Sequence, residues 1–503
     1  MSGTALPLSQ LQELIGELSS SQSRESDLLL LQLDEENGRR LRLCAIPHSF
    51  DAATLQALDP SLSLQDVKFT LEQFQVLPAV TLSGDCLVLH DVARQELFSQ
   101  WLSPEHRPEF AAASARLVEF YKPDENDNPV DAATKQISRL FHLLGADPDA
   151  GLWEFQDAYQ SRRSLGRFSD CESLLRLLRE YEPALEGEQR NWLNYYQAEV
   201  ADDNRDLDAA LAVLDRLRQD TPAAALRSMV LLRSASVLRR LERLPEAESA
   251  GREALKFVNG VERSPIRHLI HHELGLIARD RGDFEEARTE LMRSIELAKA
   301  ASSHRDVVVA YNSLGTLLRK PDPREALKLF RECLDLLDPD LDKLRMAQVL
   351  NNLGLASADL QEWENSSQYF QASLQIKRDA LDLAGEASTL LNVSRVYRAE
   401  EKWEDARSAL MMSAKLFEDV RDPVRAAQAL RELARLMRLR GGADAAAHYA
   451  VRAVECLRRA GREADASQVE QEFAPKKSRR RWLIWVAVIL AVAVAIVLAV
   501  ELV

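Results

Sequence analysis

The sequence predicts a mainly α-helical chain: an α-solenoid of long-period repeats of about 40 residues, preceded by a small α+β module and followed by one transmembrane helix. Three observations carry that expectation. Small residues recur at positions 171, 210, 247, 287, 326, 366, 406 and 446, at spacings of 37 to 40 residues. The composition is rich in Leu, Ala, Arg and Glu, with only 18 Gly and 18 Pro in 503 residues, which favours helices over β-structure or disorder. Finally, Trp482 to Val500 is an unbroken run of 19 apolar residues.

Taken from the N-terminus, residues 1–25 read as a helical segment without the basic start and apolar core of a secretory signal. Residues 26–121 do not follow the repeat. Leu28–Leu33 and Leu41–Ile46 form an apolar pair around a turn at Asn37-Gly38, and helical segments follow near 51–58 and 63–75. A hairpin-like stretch comes next, with Leu77–Leu82 and Cys86–His90 flanking a turn at Ser83-Gly84-Asp85, and then a helix over Val92–Leu102. Helices followed by a small β-wing predict a winged-helix module. Residues 122–150 are read as a linker and first solenoid helix, 151–465 as the solenoid, 466–481 as a basic juxtamembrane linker and 482–503 as the membrane anchor.

Within the solenoid, Leu274-Gly275 is followed by Gly282, Phe284 and Ala287, and Leu353-Gly354 by Trp363, Ser366 and Phe370. Val393-Ser394 leads to Tyr397, Trp403 and Ala406, whereas Leu314-Gly315 leads to Ala326 and Phe330 one residue early, across Pro321-Asp322-Pro323. Weaker copies align on Ala198/Ala210, Ala235/Ala247 and Ala434/Ala446. A small residue is needed twelve positions after the Gly because two helices cross closely there. The Leu-Gly pair and its offset resemble the tetratricopeptide repeat, with lengthened second helices. The phrase Leu350-Asn351-Asn352-Leu353-Gly354 resembles the long-period repeats of kinesin light chains and bacterial signalling ATPases.

A second resemblance covers residues 40–145. Leu89-His90-Asp91-Val92-Ala93-Arg94 is similar to the winged-helix domain of STAND-class ATPases (the NB-ARC and AP-ATPase group), and Arg139-Leu140-Phe141-His142-Leu143-Leu144 to the helix that opens their repeat array. The resemblance implies that His90 matches the histidine that reaches the nucleotide phosphates. This chain departs from that family, since it has no GxxxxGK[ST] and no Gly-Lys pair to cradle a phosphate. His90 is therefore read as structural, and no cofactor is expected.

The net charge is −15, yet residues 476–503 carry +4, so the rest of the chain carries −19. Such an acidic body argues against nucleic acid as a partner, because affinity there comes from neutralising phosphates. The five cysteines (44, 86, 171, 333 and 456) include no CxxC pair, which indicates neither a disulfide framework nor a zinc site. Basic residues are mostly Arg, 51 against 13 Lys, the usage of a GC-rich, bacterial genome.

His268, His271, His272 and Glu273 have helical spacing that could ligate a metal, but no second ligand cluster accompanies them, and no metal is expected. No nucleophile–base constellation is visible, so no enzyme is expected either. Four residues after each Gly-equivalent position stand Arg239, Arg279, Arg319, Arg398 and Arg438, interrupted by Ala358. In tetratricopeptide folds that side of the first helix lines the concave groove, which makes the arginines a stripe for an extended, acidic peptide. Equally, each could pair with acids of the neighbouring repeat, such as Asp280 or Glu285. Asn312, Asn351, Asn352 and Asn392, two or three residues before the Gly-equivalents, resemble asparagines that clamp peptide backbones, because an amide donates and accepts at once.

At the C-terminal end, the 19 apolar residues would span about 28 Å as a helix at ~1.5 Å per residue. Trp482 and Trp485 sit where an interfacial belt would lie, and Lys476, Lys477, Arg479, Arg480 and Arg481 predict that the bulk of the chain stays cytoplasmic, at the inner membrane if bacterial. The functional expectation is a membrane-tethered scaffold that recruits a protein or peptide through the solenoid groove. Two alternatives stand beside it: an ATPase-less, STAND-derived regulator acting with an enzyme in trans, and a membrane-bound transcription regulator.

Overall fold

The computed structural model describes residues 29–30, 32–164, 166–220, 223–258 and 266–474. The expected N-terminal helical segment (1–25), the basic cluster Lys476–Arg481 and the apolar run with Trp482 and Trp485 lie outside them. Among the described residues no helix is long and apolar enough to cross a membrane. The chain divides into two compact units, Met1–Glu262 and Arg263–Val503.

The first unit opens with three helices, α1 (Glu35–Cys44), α2 (Ala52–Leu58) and α3 (Leu64–Gln75). Each start is set by a capping side chain: Asp34 accepts from Asn37 N, Asp51 from Thr54 N, and Ser63 forms a capping box with Asp66. The antiparallel pair β1 (Val80–Ser83) and β2 (Cys86–Leu89) follows, in the register Val80 with Leu89 and Ser83 with Cys86. Phe50 bridges Leu87 at the other edge of β2. Gly84 turns the hairpin at φ 62°, a left-handed conformation that costs glycine least. Helices α4 (Asp91–Trp101) and α5 (Arg107–Phe120) complete the module, whose core includes Leu41, Phe50, Leu55, Phe74, Leu89 and Leu97.

One sequence expectation fails here. The apolar pair around a turn at Asn37-Gly38 is instead α1, with Gly38 buried inside the helix, where an added Cβ would stand 3.6 Å from Leu30. Asp34, Glu35 and Glu36 are an N-terminal helix signal, and burial of Leu41, Leu43 and Cys44 repays the helical cost of the glycine.

Helical hairpins occupy the rest of this unit: α6 (Pro129–Ala146), then α7/α8 (Pro148–Ser164, Phe168–Glu180), α9/α10 (Gly187–Asp203, Leu207–Gln219) and α11/α12 (Ala224–Arg240, Leu244–Val258). The second unit continues the pattern with α13/α14 (Arg267–Arg281, Phe284–Ala300), α15/α16 (His304–Leu318, Pro323–Leu336) and α17/α18 (Lys343–Asp359, Trp363–Asp379). It ends with α19/α20 (Leu383–Ala399, Trp403–Asp419), α21/α22 (Pro423–Leu439, Ala443–Arg459) and the single helix α23 (Glu463–Phe473). Mainly helical hairpins stacked as a solenoid is therefore the architecture. On α23 Ala466 and Val469 are buried, Glu463 and Glu470 pair with Arg458 of α22, and Ser467, Gln468 and Gln471 are exposed.

All eight recurrent small residues are buried, from Cys171 to Ala446. The glycines explain the Leu-Gly signature, because a Cβ on Gly315 would lie 2.6 Å from the Phe330 ring and one on Gly354 2.8 Å from Phe370. A further periodic device ties the two helices of four hairpins in the second unit. Ser294 Oγ donates to the His268 carbonyl (2.8 Å), Ser373 Oγ to Ala347 (2.6 Å) and Ser413 Oγ to Ala387 (2.7 Å). Cys333 Sγ lies 3.5 Å from the Val308 carbonyl at the equivalent place.

Candidate functional site on the first helices of the second unit

In the second unit, first helices approach one another: α13 packs on α15 as well as on α14, and α17 on α19. The first helices thus form the inner side of the stack, which is where the Arg and Asn positions fall.

The arginines there are paired. Arg319 Nε lies 3.3 Å from Asp359, and Arg398 Nη1 donates to Glu432 at 3.2 Å, both partners belonging to the next repeat. Arg438 Nη1 donates to the Glu472 carbonyl (2.7 Å) and its guanidinium stacks 4.6 Å from the Phe473 ring centroid. Arg279 is held by Asp280 of its own helix at 2.7 Å. In the first unit, Arg239 is half-buried near the end of α11 and is also engaged. Arg319, Arg398 and Arg438 consequently brace successive elements of the stack, whereas Arg279 pairs within its own helix.

Asp359 is the hub of one such brace. It takes Lys320 (2.8 Å), Arg395 (3.1 Å) and Arg319 together, with 6% of its side chain exposed. Burial pushes its carboxyl up, but the Lys320 and Arg395 hydrogen bonds and the two guanidinium charges outweigh it, holding the pKa below its ordinary value. Burial also lowers Arg319 from its ordinary value, against the pull of Asp359.

The asparagines form a ladder across three repeats. Asn352 Nδ2 donates to Asn312 Oδ1 at 2.7 Å, Asn392 Nδ2 to Asn351 Oδ1 at 3.0 Å, and Asn351 Nδ2 to Asn352 Oδ1 at 3.4 Å. Each amide is oriented by its neighbour and keeps capacity for further bonds, since an amide offers two donors and two lone pairs.

Beside this ladder lies a cavity of about 630 Å³ whose lining brings together Arg319, Asn392 and Arg398 from the sequence-derived set. Arg395, Gln428 and Glu432 add polar groups, and Trp363, Leu391 and Leu439 supply apolar wall. Its volume suits a peptide side chain with flanking backbone. Arg279, Arg438, Asn312, Asn351 and Asn352 are not among its lining residues. The sequence reading took Trp363 only as a mark of the repeat and passed over Arg395, although each has a counterpart 40 residues on, at Trp403 and Arg435.

The first unit fills the corresponding first-helix positions with charge. Arg233 bonds Glu199 and Asp202, Arg240 bonds Asp202, and Arg163 reaches Asp203 at 2.7 Å. Glu199 and Asp202 are almost wholly buried, so the three arginines supply the compensation that burial demands.

The histidine cluster is divided among three partners. His268 Nε2 is 2.8 Å from Asp306, His271 Nδ1 is 2.6 Å from Glu290, and His272 Nε2 is 2.9 Å from Ser313, while Glu273 is buried and engaged. His90 is exposed and precedes α4, donating its backbone N–H to Ala79 O (2.8 Å).

Comparison with known proteins agrees with the repeat fold. The tetratricopeptide repeat family model fits residues 267–338 and 345–419. No curated protein matches the chain. Among solved structures, a STAND (signal transduction ATPase with numerous domains) protein with a tetratricopeptide repeat sensor from Pyrococcus horikoshii superposes with a TM-score of 0.55 at 13% identity, covering 94% of this chain and 68% of that one. The apo quorum sensor NprR from B. thuringiensis gives 0.46 at 12% identity over 65% of this chain and 99% of its own. Aspartyl phosphate phosphatase F from Bacillus subtilis gives 0.47 at 11% identity, over 72% and 92%. The second unit thus carries tetratricopeptide repeats over residues 267–338 and 345–419.

Proposed function

We propose that this chain is a scaffold that captures a protein or peptide segment on the inner face of its second unit and holds it at a membrane. The observation that carries the reading is the 630 Å³ cavity, where Asn392 and Gln428 can bond a peptide backbone beside apolar wall from Trp363, Leu391 and Leu439. Because Arg319 and Arg398 already hold Asp359 and Glu432, an acidic ligand would exchange with these carboxylates rather than meet bare cations. The run Trp482–Val500 and its basic flank support tethering, which raises the local concentration of whatever is captured.

The order of α1–α3, β1 and β2, with the Phe50 bridge, supports reading the first module as a winged helix. Helix α3 holds one basic residue, Lys68, and exposes Phe69, which favours protein over DNA as its contact. The shared fold with a STAND sensor protein keeps a second reading in view, a regulator working with an enzyme in trans.

A photocrosslinking residue at Gln428 should capture a discrete partner that the same residue at Arg407, on a second helix, does not. The Gln428→Trp variant, which fills the cavity, should lose that partner. Identical products from both positions would sink the groove reading. For the tether, alkaline extraction should release the chain only when residues 482–503 are deleted, and release of the full chain would remove that part of the proposal.

A further inference from the structure

The first unit contains a second cavity, of about 440 Å³, where the N-terminal module meets the first helical hairpins. Leu102 and Phe110 of the module and Leu144, Tyr181 and Leu185 of the hairpins form its apolar floor. Ala111, Ala146 and Ala184 keep the space open, since none carries a side chain long enough to fill it. Its volume lies in the range of small-molecule sites.

The rim has a definite sign. Asp149, Glu186 and Glu188 line it against a single guanidinium, Arg107, which donates to the Ala184 carbonyl (2.9 Å) and lies 3.4 Å from Glu186. Gln189 Nε2 donates to Asp149 at 2.7 Å and orients that carboxylate at the mouth. An anion would meet net negative charge, and a purely apolar molecule would leave the carboxylates unused.

The floor also belongs to the joint between module and hairpins. The Phe110 and Tyr181 rings stand 6.2 Å apart, and Phe98 contacts both, at 5.7 and 5.6 Å. Arg94 lies over Phe98 and donates to Glu180 of α8 at 2.8 Å. Whatever fills the cavity presses on the contacts that fix the module to the hairpins.

We propose that this cavity binds a small organic amine, its apolar body against Ala111, Ala146, Pro148 and Ala184 over the edges of the nearly buried Phe110 and Tyr181 and its cationic nitrogen at Asp149 and Glu188, and that occupancy stiffens the joint. The site is independent of the groove in the second unit. Isothermal titration of the full chain with tryptamine tests it, with indole-3-acetate as the same ring carrying the opposite charge. Tryptamine should bind at one site and indole-3-acetate should not. Glu188→Lys, a change at an exposed rim position, should weaken tryptamine roughly tenfold or more, and Ala111→Trp should abolish binding by filling the space. If Ala111→Trp fails to fold, Glu188→Lys decides. Absence of tryptamine binding, equal binding of both indoles, or undiminished binding by Glu188→Lys would overturn the proposal.

Discussion

Ser373 Oγ donates a 2.6 Å hydrogen bond to the carbonyl of Ala347, pinning the middle of α18 to the start of α17. Both groups are buried, and Ser413 repeats the bond to Ala387 forty residues later. Ser373→Ala should lower stability by about 1 kcal/mol in denaturant titration, because the carbonyl keeps its helical partner and only the side-chain bond is lost. The two sites share no partner, so Ser373→Ala/Ser413→Ala should cost about twice as much.

Lys377 is buried in α18, where its ammonium donates to Thr389 Oγ1 at 2.7 Å. Burial pushes its pKa down from 10.5 to about 8, with the Asp382 charge opposing. A base with a lowered folded pKa penalises the fold fully below that value, and the penalty fades as pH rises toward 10.5. Lys377→Met should therefore stabilise the second unit by roughly 2–3 kcal/mol near pH 7. The gain should shrink between about pH 8 and 10.5, measured as melting temperature against pH.

His142 gives a pH dependence of the same sign in the acid range. Burial pushes its pKa from 6.5 to about 3, and the nearby His48 and Arg94 charges add to the effect. The ring stacks 5.4 Å from Tyr121, and its buried Nδ1 has no hydrogen-bond partner. Stability is intact above pH 6.5 and falls as the pH drops toward 3, at about 1.4 kcal/mol per unit for one proton. His142→Phe, which keeps the stack, should flatten the acid limb of first-unit unfolding.

Leu381 holds a left-handed backbone (φ 54°) between α18 and α19 with its side chain 81% exposed. The equivalent turn after α22 uses Gly461 at φ 71°. Leu381→Gly should stabilise by up to about 1 kcal/mol, the backbone relief exceeding the entropy the glycine adds to the unfolded chain. Differential scanning calorimetry reads this directly.

Reversing Arg319 to Glu would place a new carboxylate against Asp359, which already lies nearly buried. The variant should lose about 2–4 kcal/mol, and Arg319→Gln, which removes the cation without adding a carboxylate while Lys320 and Arg395 still hold Asp359, should lose less. Urea titration of the two variants separates the brace from any effect on ligand capture.

Much of the solenoid was legible in the sequence because close helix crossing leaves a chemical trace. Gly275, Gly315 and Gly354, with the small residues 171 to 446, stand where no larger side chain fits. The Arg and Asn positions were legible as columns, since helical register places them on one face. Their partners were not, because Asp359 and Glu432 meet Arg319 and Arg398 only through the angle at which repeats stack. The row Ser294, Cys333, Ser373 and Ser413 stands at spacings of 39 and 40 in the sequence, but a serine or cysteine on a helix carries no mark of the carbonyl it will meet. Helix α1 was missed because Asn37-Gly38 signals a turn in isolation, and only its burial shows the helix.

Helix α23 has a consequence for self-association. A stack of identical hairpins has adhesive ends, and copies could join end to end into fibres. On α23 Ala466 and Val469 face the repeats, Arg458 of α22 holds Glu463 and Glu470 at the flank, and Ser467, Gln468 and Gln471 are exposed on the outer side. Addition of another copy there would strip water from a hydroxyl and two amides, with no large apolar side chain on that side of α23 to gain from. The outer side of α23 therefore disfavours docking of a further hairpin on it.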